Sequence, residues 1–241
     1  PAGRAWTADD MTANVYVWTE WPNPDGFLLI RPQILAVMDI GSMRWLNVRG
    51  VMRSRGQYNR DDVWGLIGDT LDAYGLHLGA DDQVDSIAVL EGGTWQSNVV
   101  KGYKTGIDDQ TRFGGLESLG VDLVHTRTPH GKIIETAFNS LQHAADNCRG
   151  FCGRMEMKDC PESVKQQLAA VRAGKAHARQ YFMHFSEYVE HLAGVMRELN
   201  NERNDGKILR GLSPDEKWGE DAPRFARFPD SSKWMYRAAY S

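Results

Sequence analysis

The 241-residue sequence has no continuous apolar run long enough to cross a bilayer, for which about 20 residues are needed. Its start, PAGRAWTADD, lacks the basic and apolar regions of a signal peptide. The expectation is a cytoplasmic protein without membrane contact, and the missing initiator methionine reads as a fragment cut from a longer chain. Cysteine is scarce. Cys148, Cys152 and Cys160 are odd in number and close together, which suits reduced thiols better than a disulfide framework. Their C-x3-C-x7-C spacing also lacks the paired short hooks of a structural zinc site. There is no surplus of positive charge: Lys and Arg total 28 against 32 Asp and Glu, a net charge of −4. A nucleic-acid binder usually carries the opposite balance, so any such contact must be local. Internal repeats and low-complexity tracts are absent, and no linker divides the first 218 residues. The pairs Gly92-Gly93 and Gly114-Gly115 are turns without a phosphate-loop pattern.

What remains is an ordinary globular composition, 41% hydrophobic and 25% charged, enough for one large domain with a sizeable core. The first half reads as strands. Ala5 to Trp18 ends in β-branched and aromatic residues and is followed by the turn-rich WPNPDG, which predicts a hairpin. Ile34 to Asp39 and Met43 to Val51, separated by a turn, give a second and third strand. Asn59 can cap a helix that runs to Tyr74 and is closed by Gly75, with Val63, Ile67 and Leu71 on its apolar face. Ser86 to Leu90 and Val121 to His125 are short apolar runs of the kind buried in a parallel sheet. The second half reads as helices, including a long one from His177 to Glu202 whose Phe182, Phe185, Tyr188, Leu192, Val195 and Met196 are core positions. Three strands, helix, strand, helix, strand and then helices is the order of an α/β RNase H-like fold, a mixed five-stranded sheet flanked by helices.

Acidic residues stand at the ends of three of these elements. Asp9 lies on the first strand, Glu91 directly follows the Ser86–Leu90 strand, and Glu135 opens the helix that begins near Lys132. In that helix Ile134, Phe138, Leu141, Ala145 and Cys148 recur on one face, and Glu135 lies about 100° from it. Lys132, Asn139 and Gln142 share the Glu135 stripe. Carboxylates that converge from several elements are what a pair of divalent ions about 3.5–4 Å apart requires, and strand ends in α/β sheets are where sites gather. Asp10, adjoining Asp9, should point to the opposite side of its strand, and Asp39 ends the second strand, so both compete with Asp9 for the first position. Two stretches are locally basic: Arg44, Arg49, Arg53, Arg55 and Arg60, and His125, Arg127, His130 and Lys132. Either can be a solvated positive face or a nucleic-acid surface.

WTADD followed by NVYV, a strand ending in EGG, TPHGKIIETAFNSLQ and the closing NNERNDGKILRGLSPDEKW together resemble the motif regions of the DDE recombinases, the group that holds retroviral integrases and phage Mu-type transposases. The resemblance runs from about Trp6 to Trp218, leaving residues 219–241 as an arm or the start of a further domain. Trp6 three positions before Asp9 selects Asp9 within this pattern, and Glu135 with Phe138 and Asn139 matches its last motif. The resemblance implies a catalytic core for metal-dependent cleavage of DNA 3′ ends and strand transfer. Asp9, Glu91 and Glu135 would hold two Mg²⁺ or Mn²⁺ ions, and Lys132, Asn139, Gln142, Arg127 and His130 would contact DNA. It further implies element ends and target DNA as partners, a homo-oligomer assembled on them, and a bacterial or phage-infected cell as the setting. Glu91 departs from the family, which carries Asp there. Its extra methylene moves the carboxylate, and leaves open a catalytically impaired DNA-binding or assembly module, or a nuclease that cuts without joining. The Ser213-Pro214-x-Glu216 turn is a capping box in its own right and says nothing about catalysis.

Overall fold

The computed structural model describes residues 1–54, 57–104, 112–125, 133–153 and 160–227. Strand β1 (Ala5–Thr12) leads into a hairpin, β2 (Val17–Glu20) and β3 (Phe27–Ile30), then β4 (Gln33–Asp39) and β5 (Trp45–Val51). Helix α1 (Arg60–Tyr74), the short β6 (Leu76–His77), β7 (Ser86–Leu90), the one-turn α2 (Asn98–Lys101), the two-residue β8 (Tyr103–Lys104) and β9 (Arg112–Phe113), and β10 (Val121–His125) follow. The remainder is mostly helical: α3 (Ile133–Ala145), α4 (Glu162–Arg172), the short β11 (Met183–His184), α5 (Phe185–Asn201), α6 (Pro214–Asp221) and the short β12 (Phe225–Ala226).

The main sheet has the order β10-β7-β1-β4-β5. β4 is antiparallel to both β1 and β5, whereas β7 and β10 run parallel to β1. A central first strand, an antiparallel second strand with a third beyond it, and two added parallel strands make the mixed five-stranded sheet expected of an RNase H-like fold. Alternation along the strands sorts its two faces. Trp6, Ala8, Leu35, Val37, Ala88 and Leu90 pack with Val63, Trp64, Ile67 and Leu71 of α1. Met11, Ile34, Ala36, Met38 and Trp45 pack on the other face with Ile134, Phe138 and Leu141 of α3 and Tyr188, Leu192 and Val195 of α5.

Helix α1 forms as its sequence predicts. The Asn59 side chain accepts from Asp61 N and Asp62 N, and Asp62 returns the bond to the Asn59 backbone. Gly75 ends the helix at φ 85°, and a Cβ there would lie 2.1 Å from the Ala226 carbonyl oxygen. Three expectations need correction. The WPNPDG turn does make a hairpin, but β2 and β3 leave the main sheet and form a second one with β11, over a separate core of Cys152, Cys160, Leu168 and Phe182. Between β7 and β10 the expected helix is a single turn, α2, among the described residues. The long helix begins at Phe185, not His177: His184 is its N-cap, with Nδ1 accepting from Ser186 N and Glu187 bonding back to the His184 backbone. Met183 and His184 are paired to β2 instead, and Phe182 belongs to the separate core.

Candidate functional site

The register of the parallel strands brings two of the acids together. Ala8 is opposite Leu90, so one residue further along each chain stand Asp9 and Glu91. Ala8 and Leu90 both belong to the α1 core. Asp9 therefore takes the other face, in agreement with its partner Ala36, which packs against α3 and α5. Its side chain is 8% exposed, and its Oδ1 accepts from the Asp10 backbone N–H at 2.9 Å. Glu91 is half-buried at the point where β7 gives way to a 3-10 turn, Gly93–Gln96.

Helix α3 lies on the Asp9 face and runs back along β1. Gln142 Nε2 donates to the Thr12 carbonyl (3.4 Å). One turn earlier, Phe138 packs on Trp45 with ring centroids 5.3 Å apart. Trp45 is paired with Met38, and Met38 with Thr7, so the start of α3 lies toward Thr7 and its end toward Thr12. Glu135 is half-buried in the first turn of this helix, which packs on the sheet face that Asp9 takes. Ile134, Phe138, Leu141 and Ala145 are buried as their spacing predicts, while Cys148 is only half-buried. Asn139 is exposed. Arg127, His130 and Lys132 lie outside the described residues.

The competing acids are in different surroundings. Asp10 faces α1, where its Oδ1 accepts from the Tyr58 hydroxyl at 2.6 Å. Burial, followed by that hydrogen bond and the charge of Asp10, raises the Tyr58 pKa well above its usual value, which keeps the phenol a donor. Asp39 is fully buried at the opposite end of the strand pair, facing Trp6. It accepts from Gly3 N (2.8 Å), Ser42 N (2.7 Å) and Ser42 Oγ (2.6 Å). It organises the β4–β5 turn.

The first basic stretch is tied up in ion pairs. Arg44 binds Asp215, Arg49 binds Asp69, Arg53 binds Asp62 and Arg60 lies beside Asp61; Arg55 is outside the described residues. The exposed pairs of Arg49 and Arg60 contribute little to stability, those of Arg44 and Arg53 are part-buried, and all four offset the charge that the sequence alone displays. The cysteines are free. Burial pushes the Cys148 thiol up to about 11, with Asp146 adding to the shift, and raises Cys152 and Cys160 too. Thiols held protonated are poor metal ligands and poor nucleophiles.

Hard carboxylate oxygens on one sheet face match the chemistry of Mg²⁺ or Mn²⁺. Among the described residues, however, no group of three or more His, Cys, Asp or Glu side chains is close enough to hold an ion as the side chains stand. The fit is one of donor type and backbone placement. Two features that bear on the site carried no signal in the sequence: the Tyr58–Asp10 hydrogen bond, and the attachment of α3 to β1 through Gln142.

The sequence matches no protein-family model and no curated protein significantly. Solved structures with a similar chain path include the Mos1 transposase paired-end complex with the left transposon end, at 14% identity and a TM-score of 0.32, covering 81% of this chain and 53% of that one. The Mos1 mariner paired-end complex with Mn is 11% identical, with a TM-score of 0.32 and coverage of 80% and 53%. The piggyBac transposase synaptic complex with hairpin DNA is 11% identical, with a TM-score of 0.35 and coverage of 99% and 52%. The chain spans about half the length of these proteins. Likeness this distant assigns no activity, and no described helix is long and apolar enough to cross a membrane.

Proposed function

We propose that this chain is the catalytic core of a metal-dependent polynucleotidyl transferase acting on DNA, of the DDE transposase and integrase type. The observation that carries the reading is the strand register that sets Asp9 and Glu91 one residue beyond the Ala8–Leu90 pair, with Asp9 on the sheet face covered by the helix of Glu135. In this reading Asp9, Glu91 and Glu135 would together hold Mg²⁺ or Mn²⁺. Bound there, such ions activate the attacking oxygen and neutralise the leaving one during in-line displacement at a phosphodiester. The protein's part is to fix the acids on a rigid sheet and to orient the DNA backbone. Asn139, which is exposed, would take that role together with Arg127, His130 and Lys132. Gln142 already uses one amide hydrogen on Thr12, so its proposed role is shared between packing and DNA.

Mn²⁺ titration followed by electron paramagnetic resonance tests the metal site, and pre-cut DNA ends incubated with target DNA test the chemistry. Saturable Mn²⁺ binding that Asp9→Asn weakens at least a hundredfold, together with joined products, is the expected result. Mn²⁺ binding without joined or cut products favours the assembly-module reading, which the longer Glu91 side chain motivates. Cutting without joining makes the protein a nuclease. Binding that is indifferent to Asp9→Asn refutes the proposed site.

A further inference from the structure

We infer that Tyr58 is a positioning residue for Asp9, acting through Asp10; the inference rests on the metal-site reading above. Two hydrogen bonds make the connection. The Tyr58 hydroxyl donates to Asp10 Oδ1 at 2.6 Å, and the Asp10 backbone N–H donates to Asp9 Oδ1 at 2.9 Å. Because consecutive strand residues point to opposite faces, Tyr58 grips β1 from the α1 side while Asp9 is presented on the α3 side. The hydroxyl-to-carboxylate bond is short and charge-assisted, the stronger class of hydrogen bond. It restrains the rotation of the Asp10 peptide plane, whose N–H fixes one oxygen of Asp9.

Tyr58 is itself well anchored. It immediately precedes Asn59, the N-cap whose reciprocal bonds with Asp62 lock the entry to α1. Its ring also packs on Trp95, with centroids 6.1 Å apart, and Trp95 is 1% exposed within the 3-10 turn that follows Glu91. One side chain thus touches both the strand that carries Asp9 and the turn that carries the chain onward from Glu91. Partners that orient a ligating carboxylate typically change metal affinity 10–100-fold when removed. A tyrosine that only packs would have no such effect.

The test compares Mn²⁺ affinity in the full chain for wild type, Tyr58→Phe, Asp9→Asn and Tyr74→Phe. Tyr74 is a control at the other end of the sheet, where its hydroxyl accepts from Arg44 and donates to the Leu46 carbonyl. Tyr58→Phe should weaken Mn²⁺ about tenfold, Tyr74→Phe should leave the affinity within twofold of wild type, and Asp9→Asn should weaken it most. If Tyr58→Phe binds like wild type while Asp9→Asn loses binding, the positioning role is overturned and the metal site stands. If Asp9→Asn binds like wild type, the metal site falls and the inference with it. Equal weakening by Tyr58→Phe and Tyr74→Phe would assign the effect to general destabilisation and also overturn the role. Should Tyr58→Phe fail to fold, Asp10→Ala removes the same hydrogen bond from its other partner and is read by the same criteria.

Discussion

Asp9 and Asp39 are both buried aspartates on neighbouring strands, yet Asp39 stands at one end of the pairing between β1 and β4 and Asp9 at its middle, in opposite chemical settings. Asp39 is enclosed by three donors from Gly3 and Ser42, and everything around it closes that end of the sheet. Ala2 N donates to Asp221, Arg44 lies between the Tyr74 and Trp218 rings at 5.6 and 5.1 Å, and Asn200 clasps the backbone of Trp45. Asp9, about three residues or roughly 10 Å away along β1, is instead set beside Glu91 and beneath α3. The difference teaches that burial alone does not mark a functional acid. A carboxylate surrounded by local donors holds a turn; one on a strand whose parallel neighbour ends at a second acid is a candidate ligand.

That contrast can be broken most directly by truncating both acids. Asp39→Ala should destabilise the metal-free protein by about 3 kcal/mol, because it orphans two backbone N–H groups and a hydroxyl in a dry turn. Asp9→Ala should cost under about 1 kcal/mol or even stabilise, as substitutions that relieve functional sites commonly do. Urea unfolding of the two variants measures this, and equal losses would erase the distinction. The Asp39 effect also has a pH signature. Burial raises its pKa above the ordinary 3.8, its donors only partly opposing the shift. The native state therefore binds this proton more tightly than the unfolded chain. Its contribution is largest below pH 3.8 and declines as the pH climbs through the folded value. The stability gap between wild type and Asp39→Ala should narrow over that rise.

A smaller effect is expected where α5 meets the edge strand. Asn200 Oδ1 accepts from Trp45 N (2.8 Å) and its Nδ2 donates to Trp45 O (2.9 Å), so the side chain substitutes for a missing neighbouring strand. Asn200→Ala leaves both buried backbone groups unpaired, at a cost of about 2 kcal/mol. An unfolding midpoint unchanged from wild type would show that water reaches this edge.

Much of this architecture was legible because its signals are local. Asn59 and Gly75 bracket α1, and the apolar runs of β7 and β10 mark both strands, although β10 is an edge strand that leaves Asp122 and Val124 exposed rather than buried as its composition suggests. The apolar spacing from Phe182 onward misled, since Phe182 falls in phase with α5 but lies in a different core, and the cap at His184 is a residue type with no strong N-cap preference. The basic look of Arg44 to Arg60 was equally incomplete, because Arg44 meets Asp215, which is 171 residues away. For the site, the alternation that separates Asp9 from Asp10 could be read from the strand period, whereas Tyr58 could not. Its link to Asp10 spans 48 residues and follows no periodicity.

The closing motif offers the mildest test of the two ends. Ser213 Oγ accepts from Glu216 N (3.1 Å), Glu216 Oε2 accepts from Ser213 N (2.8 Å), and Pro214 occupies the first helical position. Removing the cap by Ser213→Ala should cost about 1 kcal/mol, read as a lowered urea midpoint. Because α6 packs at the Asp39 end, through Arg44–Asp215 and the Ala2 N–H donated to Asp221, the same variant should leave Mn²⁺ affinity at wild-type level. A drop in that affinity would mean that the two ends of the sheet are coupled, and that the resemblance carried by this segment reflects a catalytic requirement as well as a structural one.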